Sequence, residues 1–198
     1  MKIKKSWIVI GVIVILALIV YGSIKNSYNK MVRMEQNVEA QWSNVENVYQ
    51  RRADLIPNLV NTVKGYADFE QETLQRVIEA RSKATSTNIN AENLSPEKLQ
   101  QFQQNQSALS SALSRLMVVV ERYPNLKANE NFKQLQAQLE GTENRISVER
   151  RRFNEAARSY NTYVNQFPQK VYANLFDFEE KAYFEAQEGA EEAPTVEF

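Results

Sequence analysis

Twelve residues at alternating steps of three and four constrain this chain more than any other feature: Tyr28, Met31, Glu35, Val38, Trp42, Val45, Tyr49, Arg52, Ile56, Leu59, Val63 and Tyr66. Ten of the twelve are apolar or aromatic. A 3.5-residue repeat keeps one helical stripe against one partner by slight left-handed supercoiling. It predicts a first bundle helix of roughly 40 residues, about 60 Å long at ~1.5 Å rise per residue. Only five glycines and five prolines occur among 198 residues, too few for a turn-rich β protein. The class is all-α.

The register passes through Pro57 without a slip. Inside a helix a proline costs ~3 kcal/mol, because it deletes a hydrogen bond and crowds the carbonyl four residues back. Two readings follow: a kink that lets the helix curve or admit a polar contact, or a new helix capped by Asp54 with Pro57 in its first turn.

Beyond it, Gly65 suits a left-handed cap, and Asp68 with Gln71 has capping-box spacing. A shorter helix runs to about Ala84. "TSTNINAENLSP" is a polar loop ending in Ser95-Pro96, an N-cap followed by proline at the first helical position. The third seam is Leu99, Phe102, Gln106, Leu109, Leu113, Leu116, Val120 and Tyr123, closed by "YPNLKANEN". The fourth is Phe132, Leu135, Leu139, Thr142, Ile146, Glu149, Phe153, Ala156, Tyr160, Tyr163 and Phe167, stopping before Pro168. Short connections predict an antiparallel up-and-down four-helix bundle whose long first and last helices protrude beyond the middle two.

Ahead of the seam, "MKIKKSWIVIGVIVILALIVYGSIK" places three lysines before an uncharged run. Trp7 to Ile24 reaches roughly 27 Å as a helix, about the thickness of a bilayer's hydrocarbon. Trp7 and Tyr21 sit where interfacial aromatics belong. The alternative is a cleaved signal peptide, but no small-x-small site follows the apolar core. An uncleaved single-pass anchor is expected, and the denser basic cluster before it predicts an extracytoplasmic domain. The organisation is thus a short basic N-terminus at 1–5, an anchor at 6–24, a bundle over 25–168, and an acidic aromatic tail over 169–198. From Phe176 onward the tail has eight acidic residues and one lysine. Its aromatics suit docking on the bundle or on a neighbouring subunit.

Composition excludes much chemistry. Cysteine and histidine are both absent, so there is no thiolate, no imidazole base and no Cys/His zinc site. The 24 basic residues balance 24 acidic ones, which gives no indication of nucleic acid.

Three stretches resemble one family: the anchored N-terminus, "RRADLIPNLVNTVKGYADFE", and "LMVVVERYPNLKANENFKQLQAQLEGTENRISVERRRFNEAARSYN". With Phe167-Pro168 and the closing "PTVEF", the chain resembles LemA-family proteins along nearly its whole length. It departs at Phe69, where members often carry histidine in "GYAxHE". The resemblance implies a small bacterial inner-membrane protein with a single-pass anchor and a helical bundle. It also implies partners such as a TPM-domain protein or a membrane metalloprotease, and no agreed reaction.

Ten residues are candidates for partner or assembly contacts: Arg52, Asp54, Pro57, Asn58, Glu140, Gly141, Glu143, Asn144, Arg145 and Glu149. Arg52 and Glu149 are charged members of the two long seams and are expected to pair and fix their alignment. In "QLEGTENRI", Gly141 and Thr142 would let another backbone approach, while Glu140 and Asn144 have ordinary i,i+4 spacing. The arginines of "ERRRF" form a solvated face, or meet lipid headgroups or the acidic tail. No catalytic, cofactor or metal residue is assigned. The expected function is a membrane-anchored scaffold or adaptor, not an enzyme, acting by self-assembly or by binding membrane proteins. The alternatives are a hydrolase using Glu140, Glu143 and Asp54, with or without a metal, and a lipid-binding membrane remodeller.

Overall fold

In the computed structural model, which describes residues 5–65, 70–86 and 94–185, the apolar run and the first seam are one helix. This helix, α1 (Lys5–Lys64), is 60 residues long. Good helix formers bridge the two parts, and no glycine or proline interrupts the stretch from Ser23 to Ile56. Every side chain from Trp7 to Tyr21 is exposed, an apolar surface all round the helix that no other described part of the chain covers. That portion is long and apolar enough to cross a membrane.

Helix α1 also runs unbroken through Pro57, so Asp54 does not start a new helix. Proline has no N–H for the carbonyl of Ala53, four residues earlier. The side chain of Arg81 supplies the missing donor, its Nε lying 2.8 Å from the Ala53 oxygen. An arginine from a neighbouring helix replaces the lost backbone bond. Gly65 follows in a turn but not with a left-handed backbone; Tyr66, Asp68 and Phe69 lie outside the described residues.

Four further helices follow the expected order with one addition: α2 (Gln71–Ser86), α3 (Pro96–Val120), a single turn α4 (Pro124–Lys127) inside "YPNLKANEN", and α5 (Glu130–Asn165). Ser95 caps α3, its side chain accepting from the Lys98 N–H, and Asn129 caps α5 by accepting from the Phe132 N–H. A last short helix, α6 (Gln169–Leu175), opens the tail. Phe167 falls in the turn between α5 and α6 and is exposed, so the α5 seam ends at Tyr163.

Helices α1 and α5 run antiparallel over the length of the soluble part. Lys30 lies over the Tyr163 ring, the Trp42 ring packs 5.6 Å from Phe153, and Arg52 pairs with Glu143. Each step up α1 is matched by a step down α5. At the end far from the apolar segment, the α2–α3 hairpin completes four-helix packing, burying Ile56, Leu59, Val77, Leu109, Leu116 and Phe132 in one cluster. In the half nearer the apolar segment only the start of α3 reaches the core, through Leu99 and Phe102. There α6 and the tail cover α1 and α5, and Ala173 and Phe184 join Met31, Val38, Trp42, Phe153 and Tyr160. The two long helices do extend beyond the shorter pair, but the tail clothes them.

Candidate functional site

Two polar arrangements stand out against this apolar packing. The first surrounds Arg52, which is 2% exposed. Its Nη1 donates to Ser110 Oγ at 2.9 Å and to Glu143 Oε2 at 2.8 Å. Its Nη2 donates to Gln106 Oε1 at 2.5 Å and to the Gln106 carbonyl at 3.3 Å. Gln106 in turn donates from Nε2 to the carbonyl of Ala84 at 3.1 Å. One buried arginine and one buried glutamine therefore connect α1, α2, α3 and α5, and the Tyr49 ring lies 5.1 Å from the guanidinium.

The expected Arg52–Glu149 pair is not formed. The antiparallel register brings Glu143 to the level of Arg52 and leaves Glu149 more than a turn away, where it pairs with Arg152 at 2.9 Å. Gln106, the one polar residue of its seam, and Ser110 are the members that sequence reasoning passed over. The position of Gln106 among leucines was the available signal.

The other candidates do not gather around this node. Asp54 is exposed and accepts from Gln50 at 2.8 Å. Asn58 is exposed, and its carbonyl accepts from Thr62. Glu140 accepts from Gln136 at 3.0 Å. Asn144 and Arg145 lie on the exposed face of α5. Gly141 shares that face, and a methyl group there would meet nothing within 4 Å, so it permits no close backbone approach inside this chain. Thr142 is buried instead, its hydroxyl donating to the Gln138 carbonyl at 2.7 Å. Among the described residues no group of three acidic side chains is placed to hold a metal ion. A cavity of about 230 Å³ opens between α3 and α5 over Arg52, Ser110, Glu140 and Glu143. Its inner end is the guanidinium, already engaged by Glu143.

The second arrangement holds the tail. Residues 178–185 run without helix beside α1 and α5. Asn161 brackets Lys181: its Nδ2 donates to the Lys181 carbonyl and its Oδ1 accepts from the Lys181 N–H, both at 2.8 Å. Asn154 brackets Phe184 in the same way, at 2.9 Å for each bond. Phe184 is buried against Trp42 and Phe153. Lys181 Nζ lies 2.5 Å from Glu35 Oε1, so the second charged member of the α1 seam is there for the tail. Arg150 of "ERRRF" does meet the tail, through the Glu185 carbonyl at 3.0 Å and the Phe184 ring rather than through carboxylates.

Burial pushes the phenols of Tyr49 and Tyr160 up. For Tyr49, Arg150 and Arg52 counter part of that effect; for Tyr160, Glu35 and Glu179 add to it. Burial also raises the Glu46 carboxyl, partly opposed by a hydrogen bond with Trp42. The two phenols belong to packed seam residues, whereas Glu46 lies on the exposed side of α1.

Known proteins place this architecture. The chain is 27% identical over 198 residues to magnetosome protein MamQ 2 of Paramagnetospirillum magneticum, covering 89% of this chain and 71% of that protein. It is 28% identical over 160 residues to Protein LemA of Metamycoplasma hominis, covering 81% and 69%. The LemA family itself matches residues 41–198, which include the Arg52 node, Asn154, Asn161 and the tail. The chain belongs to the LemA family.

Proposed function

We propose that this protein is a membrane-anchored helical scaffold or adaptor that works by self-assembly or by binding membrane proteins, without a reaction of its own. The observation that carries this reading is the single helix α1. Its apolar end and its bundle seam are continuous over 60 residues, so the orientation of the bundle is set by the helix that enters the bilayer. Such a part transmits position and spacing, which suits an assembly element. The buried polar groups support the same reading. Arg52 and Gln106 bind one another and the neighbouring helices, and Asp54, Glu140 and Glu143 each have a structural partner.

A bundle on the extracytoplasmic side of the inner membrane follows from the basic cluster before the anchor. A TPM-domain protein or a membrane metalloprotease is the partner class suggested by the family. Cross-linking in intact cells with a membrane-permeant amine reagent tests the reading. Discrete bands containing two or more copies, or a defined second membrane protein, are expected. A single-chain band at every reagent concentration, with no associated protein, contradicts it.

A further inference from the structure

The tail sits in its groove with a spacing that belongs to both sides. Phe178, Lys181 and Phe184, three apart, meet Tyr28, Glu35 and Trp42, seven apart on α1. Asn161 and Asn154 on α5, also seven apart, bracket the main chain at residues 181 and 184. Three residues of extended chain advance about 10 Å, and seven residues of helix advance about 10.5 Å. Strap and helices therefore stay in register, and the match repeats with each heptad. Each asparagine offers a donor and an acceptor as a neighbouring strand would, so the groove reads an extended main chain. Specificity comes from the Phe184 socket and the carboxylate of Glu35.

The strap hangs from one joint. Helix α6 ends with the Phe178 N–H donating to the Ala173 carbonyl at 3.0 Å, around Asp177 at φ 58°. That is a Schellman ending with an aspartate where glycine is usual. A turn here toward an ordinary extended conformation relieves a backbone that L residues rarely adopt and carries residues 178–185 away from their own bundle.

We propose that the groove of α1 and α5 is a docking site for an extended peptide with lysine three residues before phenylalanine, and that its occupant in the assembled protein is the strap of a second copy, exchanged about Asp177. The proposal rests on the self-assembly reading above. An exchanged strap makes the same contacts as a folded-back one, so exchange adds no mismatched interface. The exchanged segment lies beyond the last described helix. Anchors in one bilayer hold neighbouring grooves at one height and raise the local concentration of straps.

The chain has no cysteine, which allows a direct test on the full-length protein in its membrane. Two differently tagged copies are co-expressed, one carrying Glu35→Cys and the other Lys181→Cys, and treated with a short bismaleimide. A product carrying both tags is expected, reduced several-fold when Phe184→Ala is added to the Lys181→Cys copy. A single chain carrying both cysteines reports the folded-back arrangement. Product within that chain, with none between tags, overturns exchange. No product in either arm, with helicity intact, overturns the docking geometry itself. Native mass measured alongside separates the two ideas: an oligomer without cross-tag product keeps self-assembly and sinks exchange, and a monomer without it sinks both.

Discussion

Arg52 on α1 donates to Gln106 on α3 across 2.5 Å inside the bundle, and neither side chain is more than 6% exposed. Each satisfies groups of the other that would otherwise be buried without partners. The ion pair to Glu143 is a different kind of contact, because that carboxylate is 53% exposed.

The two halves of the node should therefore weigh differently. Arg52→Ala leaves Gln106 and Ser110 without their donor and should cost ~1–3 kcal/mol for each group left unsatisfied. Glu143→Gln removes a charge that water already screens and should cost ~1 kcal/mol or less. Urea unfolding followed by circular dichroism measures both. Equal losses would place the energy in the ion pair and not in the buried hydrogen bonds.

Pro57 and Arg81 should be energetically coupled. In the natural sequence Arg81→Ala strands the Ala53 carbonyl and should cost ~1–2 kcal/mol. After Pro57→Ala a backbone N–H can take that carbonyl, so the same Arg81→Ala should cost less than half as much. A double-mutant cycle reads the difference directly. Additive effects would mean that the arginine is not replacing the proline's missing bond.

Release of the tail should follow the asparagines and not the charges. Asn154→Ala and Asn161→Ala should each raise the rate at which limited proteolysis cuts within residues 178–185, and together they should act more strongly. High salt should change the native rate little, since the side chains of the Lys181–Glu35 pair are only 14% and 28% exposed and the other ion pair of the strap, Lys170–Glu180, is long at 3.9 Å and about half exposed. Cleavage that accelerates with salt in the native protein would assign the docking to electrostatics.

Alkaline pH should unfold the bundle through its tyrosines. Tyr49 and Tyr160 have folded pKa values above the ordinary phenol range. The stability tied to that shift is present below the unfolded value near ~10 and is lost as pH rises from there through the folded values. Tyrosinate absorbance should therefore show a delayed fraction that appears together with loss of helicity. Tyr160→Phe should move that transition to higher pH. The phenol hydroxyl is buried without a hydrogen-bond partner, so this change should leave neutral stability equal or improved.

Much of the fold was legible because a heptad stripe and an apolar run each impose a period or a length that only a helix satisfies. Met31, Val38, Trp42, Ile56 and Phe153 are buried as their spacing requires, and Ser95 caps α3 as its place before Pro96 implies. The pairing of Arg52 was not legible, because register between α1 and α5 depends on how the chain turns through α4, and a seam alone does not record that offset. Gln106 and Glu35 were visible as polar interruptions, but their partners come from elements whose position no local pattern reveals. Asn154 and Asn161 look like ordinary polar residues on α5. Their seven-residue spacing acquires meaning only once a strap with a three-residue repeat lies beside it.

Whether this chain assembles is decided by the mass of the full-length protein in mild detergent, with a copy lacking residues 1–24 measured beside it. A discrete multimer or a stable complex with a second membrane protein is expected, with a bundle that still associates after the anchor is removed. Monodisperse monomers in both samples, with no copurifying protein, would contradict the scaffold or adaptor reading.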